Sequence, residues 1–216
     1  MSEVTGMCRA YGLTSRRRAD LDGSVAGMVH IDLYPDFSVL AAREPAESYA
    51  ITTHRGANPE VAIIAPHGGK IEPGTSRLTR DIAGQDYSYY LFEGKKAEGN
   101  RDLHVTSHHF DEPQSLVLIA EATTVLAIHG CKGEGAINVG GLDTPLADAI
   151  FHALSAGGFP VHRHGHAYPA LQPMNICNRG ALGAGAQLEL TMDMRAREPA
   201  AQISALVRQV LDRVVR

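Results

Sequence analysis

The 216-residue chain has no tryptophan and only three cysteines, Cys8, Cys131 and Cys177. These form neither a Cys-x-x-Cys pair nor an even set, so no disulfide framework is expected and a reducing compartment is the plain reading. No apolar run approaches the roughly 20 residues of a membrane-spanning helix. Charge of one sign is also missing: Lys plus Arg number 20 against 24 Asp plus Glu, a formal charge of −4. There is thus no global basic field for nucleic acid, and a polyanionic substrate needs a local cationic pocket. Gly-x-Ser-x-Gly, His-Glu-x-x-His and Gly-x-x-x-x-Gly-Lys-Ser/Thr are all absent, which argues against a standard serine hydrolase, a thermolysin-like protease and a P-loop NTPase.

What is present is an ordinary globular balance, 44% hydrophobic and 20% charged, with 22 glycines and 11 histidines. A domain of this size buries roughly 70–75% of its unfolded surface and needs no staples. Residues 1–27 read as a loose N-terminal extension, and 28–216 as one domain. Arg16-Arg17-Arg18 is followed by Ala19-Asp20-Leu21-Asp22 instead of an apolar signal core. No secretory signal is read there, so a cytoplasmic location with no membrane and no nucleic-acid partner is expected.

The domain opens with a helix around Tyr34–Leu40, with Asp36 or Ser38 able to cap it. Tyr49–Thr53 alternates as a strand, and Val61–Ala65 is continuously apolar, which suits a strand buried on both faces. A helix capped by Thr75 or Ser76 runs to Ala83, and Tyr87–Phe92 and Leu103–Thr106 read as further strands. Ser115–Ala120 and Thr124–Ile128 are two more apolar runs. Ala136–Val139 and Ala186–Met192 read as strands, Asp143-Thr144-Pro145 opens a helix, and Pro199–Val214 is an amphipathic one. Strands alternating with helices predict an α/β three-layer sandwich around a mixed, mostly parallel sheet.

In open α/β sheets ligands sit beyond the carboxyl ends of strands. His67 follows Val61–Ala65 and His129 follows Val125–Ile128, each just before glycine, so two strands deliver a histidine to one rim. Glu72 is the natural third ligand of a zinc site, because Gly68-Gly69 lets the chain fold back between the two. Glu189 shares a strand face with Gln187 and Thr191; it fits a solvent-facing carboxylate on an edge strand or a partly buried general base. In the turn Asn178-Arg179-Gly180, Arg179 is equally a carboxylate clamp or a surface residue. His109 and Glu112 have His-x-x-Glu spacing but rank second as a ligand pair. His162, His164 and His166 alternate after Val161 and stay outside the site, and Cys131 and Cys177 read as inert buried thiols.

Five strings carry a resemblance: Ala65-Pro66-His67-Gly68-Gly69-Lys70-Ile71-Glu72-Pro73-Gly74-Thr75, Leu103-His104-Val105-Thr106-Ser107-His108-His109-Phe110-Asp111-Glu112-Pro113, Ile128-His129-Gly130-Cys131, Asn175-Ile176-Cys177-Asn178-Arg179-Gly180 and Gln187-Leu188-Glu189-Leu190. In this order they resemble the poly-γ-glutamate hydrolase family of bacteriophages and bacteria, some of whose members are labelled phage-related replication proteins. The resemblance runs from about Tyr34 to Arg195. It implies a zinc carboxypeptidase-like fold, one zinc ion on His67, Glu72 and His129, endo-type cleavage of γ-linked glutamate polymers, and Glu189 as catalytic carboxylate. Arg179 resembles the substrate-carboxylate arginine of zinc carboxypeptidases.

The expectation is therefore a zinc-dependent amidohydrolase acting on poly-γ-glutamate or a related anionic γ-linked peptide. Arg179 and Asn178, with His109 or Lys70, are expected to bind a free α-carboxylate or the developing oxyanion. Two alternatives remain at this stage. One is a zinc hydrolase of small N-acyl amino acids or aminoacyl esters. The other is a non-enzymatic, zinc-stabilised module that binds anionic polymer.

Overall fold

Two of the short apolar runs become the centre of a seven-stranded sheet. In the computed structural model, which describes residues 32–214, Asn58–Gly69 forms β2 and Thr124–Gly130 forms β4, side by side and parallel. The other strands are β1 (Tyr49–His54), β3 (Tyr87–Gly94), β5 (Ile137–Gly140), β6 (Val161–His162) and β7 (Ala186–Leu190). Their order is β1-β3-β2-β4-β7-β5-β6. β3, β2, β4 and β7 run parallel, while β1 is antiparallel to β3 and β5 to β7. The sheet is mixed and mostly parallel, as the alternation of elements predicts. The expected 1–27 extension lies outside the described residues.

Successive side chains on a strand point to opposite faces, so a continuously apolar strand feeds two cores. Val61, Ile63, Leu126, Ile128, Leu188 and Leu190 turn to one face, against α2 (Thr75–Ala83), α4 (Thr144–Ala156) and α5 (Arg197–Val214). Ala62, Ile64, Val125 and Ala127 turn to the other, where α1 (Phe37–Arg43) and α3 (Pro113–Ala120) lie. Helices on both faces of the sheet make the three-layer sandwich. Each fully buried large aliphatic stabilises the fold by roughly 1.5–3 kcal/mol, so two such cores need no cross-link. Cys131 and Cys177 are accordingly free thiols. Burial and the nearby Glu189 push the Cys131 thiol up to about 11, and burial pushes Cys177 up as well.

Asp36 caps α1 by accepting from the Val39 amide at 2.8 Å, and Asp143 caps α4 through Leu146 at 3.0 Å. Two sequence expectations need correction. The cap of α2 is Gly74, because the Thr75 hydroxyl donates instead to the Glu72 carbonyl at 2.8 Å. Leu103–Thr106 is not a strand: a 3-10 turn, Asn100–Leu103, leads into irregular chain. Leu103 and Val105 alternate because both insert into the second core, not because they pair. Ser115–Ala120 belongs to helix α3, capped by Glu112, whose carboxylate accepts from the Ser115 amide. Among the described residues no helix is long and apolar enough to cross a membrane.

Candidate active site

The parallel strands end at a common rim, and a β-bulge decides which face the first histidine takes. The pairing of β2 with β3 slips between Ala65 and Gly68. A bulge shifts the alternation by one residue, which turns His67 toward the second core, where its ring meets Phe110 edge-on. His67 is 1% exposed, and its Nε2 lies 2.8 Å from the Val105 carbonyl oxygen. A carbonyl only accepts, so Nε2 donates to it, and Nδ1 is the nitrogen turned toward Glu72 and His129. The phenyl ring of Phe110 packs on Phe92 with centroids 5.8 Å apart, which anchors the segment that supplies Val105.

Glu72 returns to His67 as the glycines suggest. The Glu72 amide donates to the His67 carbonyl at 3.0 Å, closing a tight loop. Glu72 Oε1 then lies 3.4 Å from His67 Nδ1, and Oε2 accepts from the Gly130 amide at 2.8 Å. His129, at the end of β4, places its Nδ1 3.1 Å from His67 Nδ1 and 3.9 Å from Glu72 Oε2. Atoms around a tetrahedral zinc sit about 3.3 Å apart when each bond is about 2.05 Å. The 3.1 and 3.4 Å separations, the donor types and the burial of all three side chains fit such an ion, while His129 and Glu72 stand wider at 3.9 Å.

A fourth residue enters that sequence reasoning leaves out. His104 stacks on His67 with centroids 4.0 Å apart, and His67, Glu72 and His104 offer ligand atoms within 4.8 Å of one another. Its Nδ1 is held by Asp32 Oδ1 at 2.7 Å, leaving Nε2 3.9 Å from Glu72 Oε1. Asp32 Oδ2 also accepts from the Thr106 amide at 2.6 Å. Burial and the adjacent His67 lower His104 to about 4 and His129 to about 3, so both are neutral at physiological pH. Burial would raise Glu72, but His67, His129 and the Gly130 amide outweigh it and hold it down to about 2. A carboxylate beside two neutral imidazoles, His104 and His129, is the protonation state that metal ligation requires.

Glu189 is not on an edge strand, which removes the solvent-facing reading. β7 lies between β4 and β5, and its register sets Glu189 opposite His129 on one side and Asn138 on the other. The residue is 8% exposed, and Gln187 Nε2 donates to its Oε1 at 2.9 Å. Gln187 is in turn oriented by Asn175 Nδ2 at 3.2 Å. Burial first, and then the charge of Glu72, push the Glu189 carboxyl well above the usual range.

The expected substrate contacts have partners of their own within the fold. Asn178 is buried, with its side-chain amide donating to the Ala170 and Gln172 carbonyls and its oxygen accepting from Leu142 and Gly185. Arg179 Nη1 donates to the Phe110 carbonyl at 3.0 Å, and Lys70 Nζ to the Lys96 carbonyl at 3.0 Å. His109 is exposed and its ring lies against His108. Glu112 is taken by its helix cap, and His162 and His164 are exposed while His166 sits on the Val139 carbonyl.

Further side chains stand near the centre. Arg195, 6% exposed, donates to the carbonyls of Leu190 and Pro73, so it ties the end of β7 to the Glu72 loop. Its guanidinium lies where a Cβ on Gly130 would be, 2.5 Å from Cζ, so a larger residue at 130 would have to displace it. Arg101 Nη1 is 4.0 Å from Glu72 Oε1. Tyr168 is half-buried; burial, Cys131, Glu189 and Glu72 raise its phenol, which places it near the same centre. Arg195 follows β7 as His129 ends β4, so applying the strand-end rule to cations would have marked it. A cavity of about 350 Å³ between β1 and α3, lined by His54, Arg55, Ser88 and Val117 among others, is at the amino ends of β2 and β3, away from these residues.

Comparison with known proteins returns a family model described as poly-γ-glutamate hydrolase, matching residues 34–199. YndL, a UPF0714 protein of Bacillus subtilis (strain 168), is 37% identical over 167 residues, covering 76% of this chain. The match spans 66% of YndL's own length. A structure of bacteriophage poly-γ-glutamate hydrolase superposes with TM-score 0.79 at 30% identity, over 85% of this chain and 98% of that one. A zinc-free apo structure of YndL gives TM-score 0.79 at 31% identity, over 85% and 99%.

Proposed function

The chain belongs to the poly-γ-glutamate hydrolase family, and from that membership we propose that it is a zinc-dependent amidohydrolase cleaving γ-glutamyl amide bonds of poly-γ-glutamate or a related γ-linked peptide. The observation that carries this reading is the register of β4 and β7, which sets the carboxyl of Glu189 beside the His129 end of a buried His67–Glu72–His129 donor set. A purely structural metal site has no use for a second buried carboxyl at that position.

His67, Glu72 and His129 would hold the ion, with the Nε2 of His104 facing the same carboxylate. A zinc ion bound there supplies Lewis acidity, polarising an amide carbonyl and making water more acidic. Glu189 takes a proton from the water that attacks the amide carbon and delivers it to the leaving nitrogen as the C–N bond breaks. Gln187 fixes the direction of that carboxyl through its hydrogen bond to Oε1. Burial and Glu72 both favour the protonated form of Glu189; cancelling the charge of Glu72 with a cation removes the second of these causes. The donor set and the base are thus electrostatically linked.

The test is chain-length analysis of γ-linked and α-linked polyglutamate after incubation with the zinc-loaded protein. Shortening of the γ-linked polymer alone is the expected result. Hydrolysis confined to small N-acyl amino acids would move the substrate to that class, and no hydrolysis of any of these would overturn the enzymatic reading.

A further inference from the structure

In a γ-linked glutamate polymer the carbon that carries the leaving nitrogen also carries a free α-carboxylate. In an α-linked chain that position is an uncharged carbonyl, and the carboxylate lies two methylenes further out. Selecting between the two therefore requires a cation close to the scissile amide. The chain's net charge of −4 supplies no general attraction, so the cation must be local.

We propose that Arg101 is the residue that determines substrate specificity, its guanidinium binding the free α-carboxylate adjoining the scissile γ-amide. The 3-10 turn Asn100–Leu103 leads from β3 to the rim, and the His104 amide donates back to the Arg101 carbonyl at 3.1 Å. One turn thus carries both His104 and Arg101 to the Glu72 carboxylate. The Arg101 side chain is 45% exposed and the Glu72 side chain 7%, so the guanidinium stands between the buried centre and solvent. Its charge acts on Glu189 and on Tyr168 as well as on Glu72, so it lies on the side of the centre where those residues stand. A guanidinium there offers the planar, paired donors that match a carboxylate.

This assignment rests on the reading of the chain as a zinc γ-glutamyl hydrolase. It is tested with two substrates: a short γ-linked glutamate oligomer, and the same oligomer with its α-carboxylates converted to carboxamides. The zinc-loaded wild-type protein is expected to favour the carboxylate form about 100-fold in kcat/KM. Arg101→Met should bring that ratio to within a few-fold of one, and Arg101→Lys should leave it intermediate. Calorimetric affinity of the carboxylate oligomer in the Glu189→Gln background, where turnover is blocked, should fall in parallel when Arg101→Met is added. Zinc content of each variant is measured alongside. An unchanged ratio in both Arg101 variants, with wild-type turnover intact, overturns the assignment alone. Absence of turnover in the wild type overturns the function and this assignment together.

Discussion

The Nδ1 atoms of His67 and His129 lie 3.1 Å apart although 62 residues separate the two histidines. Parallel pairing of β2 with β4 brings the strand ends together, and the bulge in β2 turns His67 onto the face that His129 uses. Two buried imidazole nitrogens converging beside a carboxylate are the donor types that a zinc ion takes. Purified protein should therefore bind about one zinc per chain, and His129→Ala should reduce that to near zero by metal analysis. Chelation should lower the melting temperature of the wild type by roughly 10 °C, since binding at about 1,000 Kd stabilises by about 4 kcal/mol. A melting temperature unmoved by chelation would separate this centre from the stability of the fold.

Glu189→Gln keeps the shape of a side chain that is 8% exposed and removes its acid–base capacity. Turnover should fall about 10²–10⁴-fold while zinc content stays at the wild-type level. Steady-state kinetics together with metal analysis read both. Unchanged kcat would remove Glu189 from the reaction.

Much of this centre is legible in the sequence. A strand buried on both faces must be apolar throughout, so a histidine directly after Val61–Ala65 or Val125–Ile128 is conspicuous. Gly68-Gly69 shows that the chain can turn back toward Glu72. The ordered strings from Ala65 to Leu190 carry the family. The position of Glu189 is not legible, because Leu188 and Leu190 alternate identically on a central or an edge strand; only the sheet order buries it. The strand expected at Leu103–Thr106 fails for a related reason: an alternating pair of apolar residues also docks a loop. His104 with Asp32, and Arg101 with Glu72, meet through tertiary contacts that no local spacing encodes.

Arg195→Met retains most of the stem but removes the donors to Leu190 and Pro73. Two carbonyls lose partners at a site where the residue is 6% exposed, and a positive charge between Glu72 and Glu189 disappears. The expected loss is about 2–4 kcal/mol in denaturant unfolding. Because Pro73 follows Glu72 directly, kcat/KM should also fall about 10-fold through displacement of the loop. Stability and activity both at wild-type values would show that the tie is dispensable.

The last prediction concerns alkaline stability and lies away from the active site. Tyr87 at the start of β3 donates its phenol proton to Asp212 of α5, and the Arg208 guanidinium sits 5.2 Å from the ring centroid. Burial, followed by Asp212, raises the phenol to about 12 from an ordinary value near 10. A raised folded-state pKa means that the native state holds this proton more tightly than the unfolded chain does. The resulting stability is complete below about pH 10 and is lost as pH rises toward 12. Tyr34, raised to about 12 by burial and Glu44, adds a loss in the same window that the variant retains. Tyr87→Phe should therefore be less stable than wild type at pH 8, where the bond to Asp212 is intact. Its melting temperature should fall less steeply from pH 10 to 12, so that the gap narrows. Parallel curves across that range would mean that the contact with Asp212 does not shift the titration of Tyr87.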